Sequence, residues 1–253
     1  MRKPSIISPH QHDSREGNVL MAANTTLTLM ETVYPLPSLL YGSRSLDYRS
    51  LLKNVLVISC FVCFVSLLAQ ISFRIPTTTV PITGQTFGVL VSGAMLGSRR
   101  GPLVMFLYML VGMFLLPVFA PSSTEGSLHL IFPWSGTQAM VWSMGSGGYI
   151  VGFIFASYLV GKLAESGWDR QSRMYLSFLL GSCVIYAFGL MWLSYMISTN
   201  SSYYDAIEGL NVFDKALRGG LYPFVGGDAI KLVIACMTLS GSWSLARRFG
   251  PRT

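Results

Sequence analysis

The sequence predicts an all-α integral membrane protein, built as a bundle of six transmembrane helices. Two observations predict this class. Of the 253 residues, 51% are hydrophobic and only 11% are charged, against roughly 25% charged residues in an ordinary soluble domain. Apolar stretches also recur along the chain, and several supply the roughly 20 residues that a helix needs to cross the hydrocarbon core. Together these observations exclude a disordered chain and a soluble globular domain.

Six stretches with few charges are predicted as the membrane spans. Segments rich in proline, glycine and polar residues separate them, as expected for turns between helices. The second stretch is short and rich in small residues, so we expect it to pack against protein. No second domain is visible, and residues 51–249 are predicted to form one membrane domain. The predicted spans lie at about 54–73, 84–98, 102–120, 138–163, 174–197 and 222–246.

Residues 1–50 precede the membrane domain and have a different composition. Polar residues and prolines are scattered through them, without the apolar core of about 7–15 residues that a secretory signal peptide requires. Acidic residues such as Asp13 and Glu16 disfavour an organellar transit peptide. The low hydrophobicity predicts a disordered cytoplasmic tail that is dispensable for ligand binding. Residues 250–253 are predicted to be a short cytoplasmic end.

The basic residues predict how the chain lies in the membrane. The formal net charge is +7, but these residues are dispersed among the breaks between spans, so no nucleic-acid partner is expected. Eleven fall on one side and three on the other, which places both termini in the cytoplasm by the positive-inside rule. The sequence therefore predicts a multi-pass protein of the plasma or inner membrane. The eleven are Arg44, Arg49, Lys53, Arg99, Arg100, Lys162, Arg170, Arg173, Arg247, Arg248 and Arg252, and the three are Arg74, Lys215 and Arg218.

The sequence offers no set of residues for catalysis or for metal binding. His129 is the only histidine beyond the tail, and Cys60 and Cys63 form a C-x-x-C inside the first span, where a thiol packs as a small hydrophobe. The phosphate-binding pattern G-x-x-x-x-G-K-[ST] is absent from the sequence, so energy from ATP must come from another protein. An intramembrane enzyme is thus the less favoured class, and neither a cofactor nor a metal is expected.

The chemistry concentrates near one end of the sixth span, at Asp228 and Lys231. The two residues are three apart and so share one face of a helix. Either charge alone costs about 2.5–3.5 kcal/mol at the centre of a membrane helix, so such residues normally face the protein interior and mark a site. The alternative interpretation is an internal ion pair that only closes the bundle.

Two further segments supply polar groups that are able to face the same cavity. Thr83 and Gln85 lie just before the second span and offer a hydroxyl and an amide. Ser146 and Tyr149 lie at the head of the fourth span, where neighbouring glycines allow close approach. Irregular backbone at membrane depth is tolerated where it lines such a cavity. Apolar walls with a few convergent polar groups are typical of a site for a small amphipathic molecule.

Five short motifs give the chain a family resemblance between about residues 51 and 249. They stand in the order V-P-I-T-G-Q-T at 80–86, L-G-S-R-R-G at 96–101, L-P-V-F-A at 116–120, G-G-Y-x-x-G-F at 147–153 and G-D-x-x-K at 227–231. In this order and spacing they resemble the BioY family, the biotin-specific S components of energy-coupling-factor (ECF) transporters. The resemblance implies a six-helix bundle of the S-component type. It further implies that loops before the second span and after the third close over biotin.

The same resemblance implies that Asp228 and Lys231 form the centre of a high-affinity site for biotin, with Tyr149, Gln85, Thr83 and Ser146 as second-rank candidates. The alternative role of Thr83 and Gln85 is to satisfy loop backbone, and that of Tyr149 is to lie in the interfacial aromatic belt. Asp228 is able to accept a hydrogen bond from a ureido N–H. Lys231 is able either to donate to the ureido carbonyl or to neutralise the carboxylate, and the sequence does not decide between these. The implied partners are the lipid bilayer, an ECF transmembrane adaptor and paired ATP-binding subunits. A solitary facilitator, or an S component for thiamin or riboflavin, is the alternative.

Overall fold

The structure, a computed structural model, is a bundle of long α-helices with a small β-sheet at one end. It describes residues 28–30, 48–73, 75, 78, 80–121, 128–170 and 173–249. Within these residues, four stretches are long and apolar enough to cross a membrane. They are Tyr48–Gln70, Gly147–Glu165, Met174–Thr199 and Val212–Arg248.

The described elements follow one another along the chain. The long helices are α1 (Tyr48–Gln70), α2 (Gln85–Leu110), α3 (Gly147–Glu165), α4 (Met174–Thr199) and α7 (Tyr222–Phe249). Two short helices, α5 (Ser201–Ala206) and α6 (Val212–Gly220), lie between α4 and α7. Three two-residue strands, β1 (Ser72–Phe73), β2 (Ile82–Thr83) and β3 (Leu128–His129), form an antiparallel sheet in the order β2-β1-β3.

The helix α2 is a hairpin, because the chain reverses direction at Gly97. The φ of Gly97 is 81°, a value that glycine adopts readily and other residues rarely do. A straight helix would separate Gln85 from Tyr108 by about 35 Å, yet Gln85 Nε2 lies 2.7 Å from the Tyr108 hydroxyl oxygen. Residues 85–96 and 98–110 are therefore two antiparallel helices. They cover the predicted second span and the first part, 102–110, of the predicted third.

The predicted third span, 102–120, is wrong at its end. A π-helical turn at Val111–Leu115 closes the helix, and Leu116 is extended, with φ −138° and ψ 148°. The reason is Pro117, which has no N–H for the helix and disfavours helical backbone at the residue before it. Residues 116–120 therefore leave the helix at the level of the sheet.

The other predicted spans differ from the helices mainly at their ends. The predicted fourth span starts at residue 138, whereas α3 begins at Gly147. Before it the chain folds back on itself, so closely that a Cβ on Gly147 would lie 1.9 Å from the Val141 carbonyl oxygen. The helix α1 begins six residues before the predicted 54 and ends at Gln70. The helices α4 and α7 extend the predicted 174–197 and 222–246 by two and three residues.

Part of the predicted tail lies in the core. Thr28 is 1% exposed and Leu29 is 4% exposed. Leu29 belongs to a buried apolar cluster that includes Cys236 and Trp243 of α7, and a Cβ on Gly97 would lie 2.8 Å from Cγ2 of Thr28. The tail thus contributes at least these residues to the fold. Residues 1–27 and 31–47 lie outside the described residues, so their disorder stays a prediction.

Two ends of the bundle differ in chemistry. At the basic end, defined here by residues 28–30, 97–101, 162–170, 173 and 243–248, Glu165 accepts hydrogen bonds from the backbone N–H and the hydroxyl of Ser98, each at 2.8 Å. At the pocket end, defined by residues 80–86, 116–120, 144–149 and 222–231, the sheet and the extended segments surround a cavity. The helices α3 and α7 each join one end to the other.

Candidate ligand-binding site

A cavity at the pocket end brings together all six residues proposed from the sequence. Its walls are formed by the segment before α2, the head of α3, and parts of α4 and α7. Most of its walls are apolar, which suits a small molecule with a few polar groups. The lining residues are Val80, Pro81, Thr83, Gln85, Thr86, Phe119, Ala120, Met144, Ser146, Tyr149, Ile150, Phe153, Ile185, Tyr186, Phe224, Asp228 and Lys231.

Asp228 and Lys231 form an ion pair on the cavity side of α7. Lys231 Nζ lies 2.7 Å from Asp228 Oδ1. The side chains are 11% and 18% exposed, so the pair is largely removed from water while still reaching the cavity. The spacing of three residues places both side chains on one face of the helix. A pair that is desolvated to this degree needs further hydrogen bonds to offset the cost of its burial.

Two hydroxyls that the sequence did not single out supply those hydrogen bonds. Thr86, in the first half of α2, donates to Asp228 Oδ1 at 3.2 Å. Tyr186, on α4, donates to Asp228 Oδ2 at 2.5 Å. Thr86 lies inside the V-P-I-T-G-Q-T motif, which was a usable signal. Tyr186 is only one of several tyrosines in an apolar helix, so its role depends on the tertiary structure.

Gln85 and Thr83 hold each other and the chain around them. Gln85 Nε2 donates to the Tyr108 hydroxyl at 2.7 Å, and Gln85 Oε1 accepts from the Thr83 hydroxyl at 2.9 Å. Tyr108 in turn donates to the carbonyl of Val118 at 3.3 Å. Both polar atoms of the Gln85 amide are thus engaged within the protein. This network ties the segment before α2 to residues 116–120.

The segment 116–120 is also fixed from the end of α1. Gln70 is fully buried, and its Nε2 donates to the carbonyl of Phe119 at 3.3 Å. The Gln70 carbonyl oxygen lies 2.8 Å from His129 Nδ1, and the Ser135 hydroxyl lies 2.7 Å from the other ring nitrogen. Trp134 Nε1 donates to the carbonyl of Pro117 at 2.9 Å. Side chains from α1 and from the loop after β3 therefore hold Phe119 and Ala120 against the cavity.

Tyr149 presents its ring to the cavity and uses its hydroxyl elsewhere. The hydroxyl donates to the carbonyl of Gly220 at 2.8 Å, which anchors the end of α6 to α3. The ring stacks on Phe224 with 6.5 Å between ring centroids and meets Tyr186 edge-on at 6.4 Å. Ser146 precedes α3, lines the cavity, and makes no side-chain cap to the helix. Tyr149 is therefore part of the aromatic wall.

The arrangement is that of a binding site. It combines an ion pair and hydroxyls with apolar and aromatic walls, a pattern typical of sites for small amphipathic molecules. Over the part of the chain that the structure describes, no group of three or more His, Cys, Asp or Glu residues is placed to hold a metal ion. The described site contains one acid, Asp228, whose oxygens are engaged by three donors.

Sequence comparisons relate most of the chain to one family. A family model described as the BioY family matches residues 42–248. The chain is 32% identical over 183 residues to a probable biotin transporter BioY of Pyrococcus horikoshii, covering 72% of this chain and 91% of the relative. It is 34% identical over 164 residues to the biotin transporter BioY of Thermotoga maritima, covering 64% of this chain and 80% of that protein.

A comparison of structures gives the same fold. The crystal structure of the S-component for biotin from an ECF-type ABC transporter matches with a TM-score of 0.61, over 81% of this chain and 97% of that chain. The sequence identity to it is 18%. At this identity the likeness concerns the arrangement of the helices.

Proposed function

The chain belongs to the BioY family, and from that premise we propose that it binds biotin in the cavity and takes it up as the substrate-specific component of a biotin transporter. The observation that carries the proposal is the Asp228–Lys231 pair, which reaches a cavity with mostly apolar walls. The relatives named above are described as biotin transporters. Transport requires no catalytic group in this chain, which acts as a binding protein.

The chemistry of biotin supports this assignment. Biotin combines a ureido group, with two N–H donors and one carbonyl acceptor, with an apolar thioether ring and a valerate chain that ends in a carboxylate. Asp228 offers an acceptor for a ureido N–H, and Lys231 offers a donor for an oxygen. The Tyr149 ring, Phe153 and Phe224 offer apolar surface for the thioether ring. Thr83, Gln85 and Ser146 complete the polar part of the cavity.

The proposal includes six membrane spans. Four are the stretches of sufficient length and hydropathy, and the two arms of the α2 hairpin supply the others. The second arm runs from Ser98 through the turn that ends at Leu115, about 27 Å at 1.5 Å per residue. The first arm is shorter, and residues 80–84 extend it as irregular backbone, which is tolerated at membrane depth because it lines the cavity.

The proposal also gives the bundle a direction. The basic end faces the cytoplasm, with both termini, and the pocket end faces outward in the plasma or inner membrane. Thiol labelling of intact cells tests this on a background that lacks the native cysteines. Leu210→Cys, at a site 90% exposed, should react with an impermeant reagent, whereas Arg173→Cys should be protected. Labelling of Arg173→Cys together with protection of Leu210→Cys would show that the bundle has the opposite orientation.

The energy for uptake is proposed to come from paired ATP-binding subunits that act through an ECF transmembrane adaptor. The sequence has no phosphate-binding loop of its own. Proteoliposomes that contain this chain, the adaptor and the ATP-binding subunits should accumulate biotin only when ATP is supplied. Biotin uptake by the chain alone, without ATP, at the rate seen with the complete complex would instead make it a solitary facilitator.

The binding proposal is tested with the purified full chain in detergent. Titration calorimetry should detect tight binding of biotin without nucleotide, and no binding of thiamin or riboflavin at the same concentrations. Binding of either other vitamin in place of biotin would refute the ligand. If the thermal transition shows that the protein is folded and none of the three vitamins binds, the site is refuted.

A further inference from the structure

Tyr186 occupies a position at the site that no motif predicted. It lies on α4, half-buried, and its hydroxyl donates to Asp228 Oδ2 at 2.5 Å. The edge-on contact with Tyr149 holds its ring, with planes 86° apart. Tyr186 is therefore fixed by aromatic packing, while its hydroxyl is aimed at the acid of the site.

The hydrogen bonds of Asp228 leave it little capacity for a ligand. An ionised carboxylate has about four lone-pair positions and no donor. Lys231 and Thr86 occupy two positions on Oδ1, at 2.7 and 3.2 Å, and Tyr186 occupies one on Oδ2. Among the described residues, the remaining position on Oδ2 has no partner. Asp228 therefore offers the cavity a single acceptor.

The hydrogen bonds of Lys231 leave a matching donor. Its ammonium group carries three N–H donors. One is directed to Asp228 Oδ1 and one to the Thr86 hydroxyl oxygen at 3.4 Å. Within the described part of the chain, the third N–H has no partner. Lys231 and Asp228 thus present one donor and one acceptor to the cavity from neighbouring positions on α7.

We propose that Tyr186 is a positioning and specificity-determining residue, which together with Thr86 restricts Asp228 to one acceptor beside one N–H of Lys231. This pair reads an adjacent N–H and C=O on the ligand, which is the edge of a ureido group. A carboxylate has no N–H to give to Asp228. The ureido group therefore lies against α7, and the valerate chain points away from it. This inference rests on the proposed function and deepens it.

The test compares biotin with 2-iminobiotin, in which an imino group replaces the ureido oxygen. At neutral pH the cyclic guanidine of this analogue is protonated, so it presents a positive charge and no acceptor to Lys231, and biotin should bind the parent chain much more tightly. In Tyr186→Phe the freed position on Oδ2 admits a second ligand donor. We expect biotin affinity to fall at least about tenfold, and the preference for biotin over 2-iminobiotin to fall as well.

The matched control is Tyr195→Phe, which removes a tyrosine hydroxyl from the exposed side of the same helix. It should change neither affinity nor preference. This inference would be overturned if the parent chain binds biotin and Tyr186→Phe keeps the same preference for biotin over 2-iminobiotin. The proposed function would then still stand. A parent chain that binds neither ligand would refute the proposed function itself. If Tyr186→Phe fails to fold, an unchanged preference in Thr86→Val would overturn the inference equally.

Discussion

Two aspartates, one at each end of the bundle, have opposite surroundings. Asp228 at the pocket end reaches a cavity, and a lysine and two hydroxyls donate hydrogen bonds to its oxygens. Asp169 at the basic end has a side chain that is 1% exposed. Its Oδ2 accepts a hydrogen bond from Trp243 Nε1 at 2.8 Å, and its other oxygen lies 3.7 Å from Arg170 Nε.

The difference separates a recognition group from a packing group. In the proposed site, Asp228 keeps one acceptor for the ligand, because Lys231, Thr86 and Tyr186 donate to its other positions. Asp169 is closed in by Trp243 and by Arg170, whose guanidinium lies 4.2 Å from the centre of the Trp243 ring. Burial there raises the pKa of Asp169 from 3.8 to about 6. Of these two aspartates, Asp228 lines a cavity and is the candidate recognition group.

The largest expected effect is on biotin affinity at the pocket end. Asp228→Asn and Lys231→Met should each weaken binding by roughly 1.5–3 kcal/mol, the usual range for a hydrogen bond to a charged group. This is over tenfold in the dissociation constant, measured by calorimetry. Asp169→Asn is the matched control at the other end, and its affinity should equal that of the parent. Equal losses in all three variants would remove the distinction between the two aspartates.

The next effect is on stability at the basic end. Leu29→Ala should lower the free energy of unfolding by about 2 kcal/mol, at the low end for a buried leucine, because it removes apolar atoms from the cluster with Cys236 and Trp243. Biotin affinity should stay within twofold. Leu210→Ala, at a site 90% exposed, is the control and should be neutral. Unchanged thermal stability in Leu29→Ala would show that residues 28–30 do not dock in solution.

A smaller effect is the pH dependence of stability that Asp169 confers. Since its folded-state pKa, about 6, lies above the ordinary 3.8, the folded chain binds more protons than the unfolded chain between these values. Stability therefore falls as the pH rises through this window. Asp169→Asn cannot ionise, so its melting temperature relative to the parent should rise from pH 4.5 to pH 7. Parallel melting curves for the two proteins would contradict this assignment.

The smallest effect is expected at Tyr149. Tyr149→Phe removes the hydrogen bond to the Gly220 carbonyl and should cost about 1 kcal/mol of stability. The ring stays in the cavity wall, so biotin affinity should change less than threefold. Tyr149→Ala removes the ring as well and should weaken binding further. A large loss of affinity in Tyr149→Phe would show that the hydroxyl contacts the ligand.

The sequence predicts the centre of the site better than its surroundings. A charge inside an apolar span is costly, so Asp228 and Lys231 stand out without any structure. Hydroxyls are inexpensive in a helix and frequent in this chain. Tyr186 therefore becomes recognisable only when α4 packs beside α7, whereas Thr86 lies in a motif that signals it. Gln85 also changes its role, since the fold turns its amide towards Tyr108.

The fold, like the site, is predicted only in part from the sequence. Hydropathy finds the apolar stretches, and α4 and α7 lie close to the predicted spans. Helix ends depend on local chemistry, as at Leu116, and on close packing, as at Gly147. The burial of Leu29 depends on contacts with residues far along the chain. No local pattern in a polar tail indicates such contacts.

The central claim is that Asp228 and Lys231 bind the ligand, and the double variant Asp228→Asn/Lys231→Met tests it most directly. Each single change leaves a partly buried charge without its partner, whereas the double variant removes both charges and should recover stability. Its thermal transition and its titration with biotin are measured on the same preparation. The account predicts a folded protein that no longer binds biotin. A folded double variant that binds biotin as tightly as the parent would contradict it.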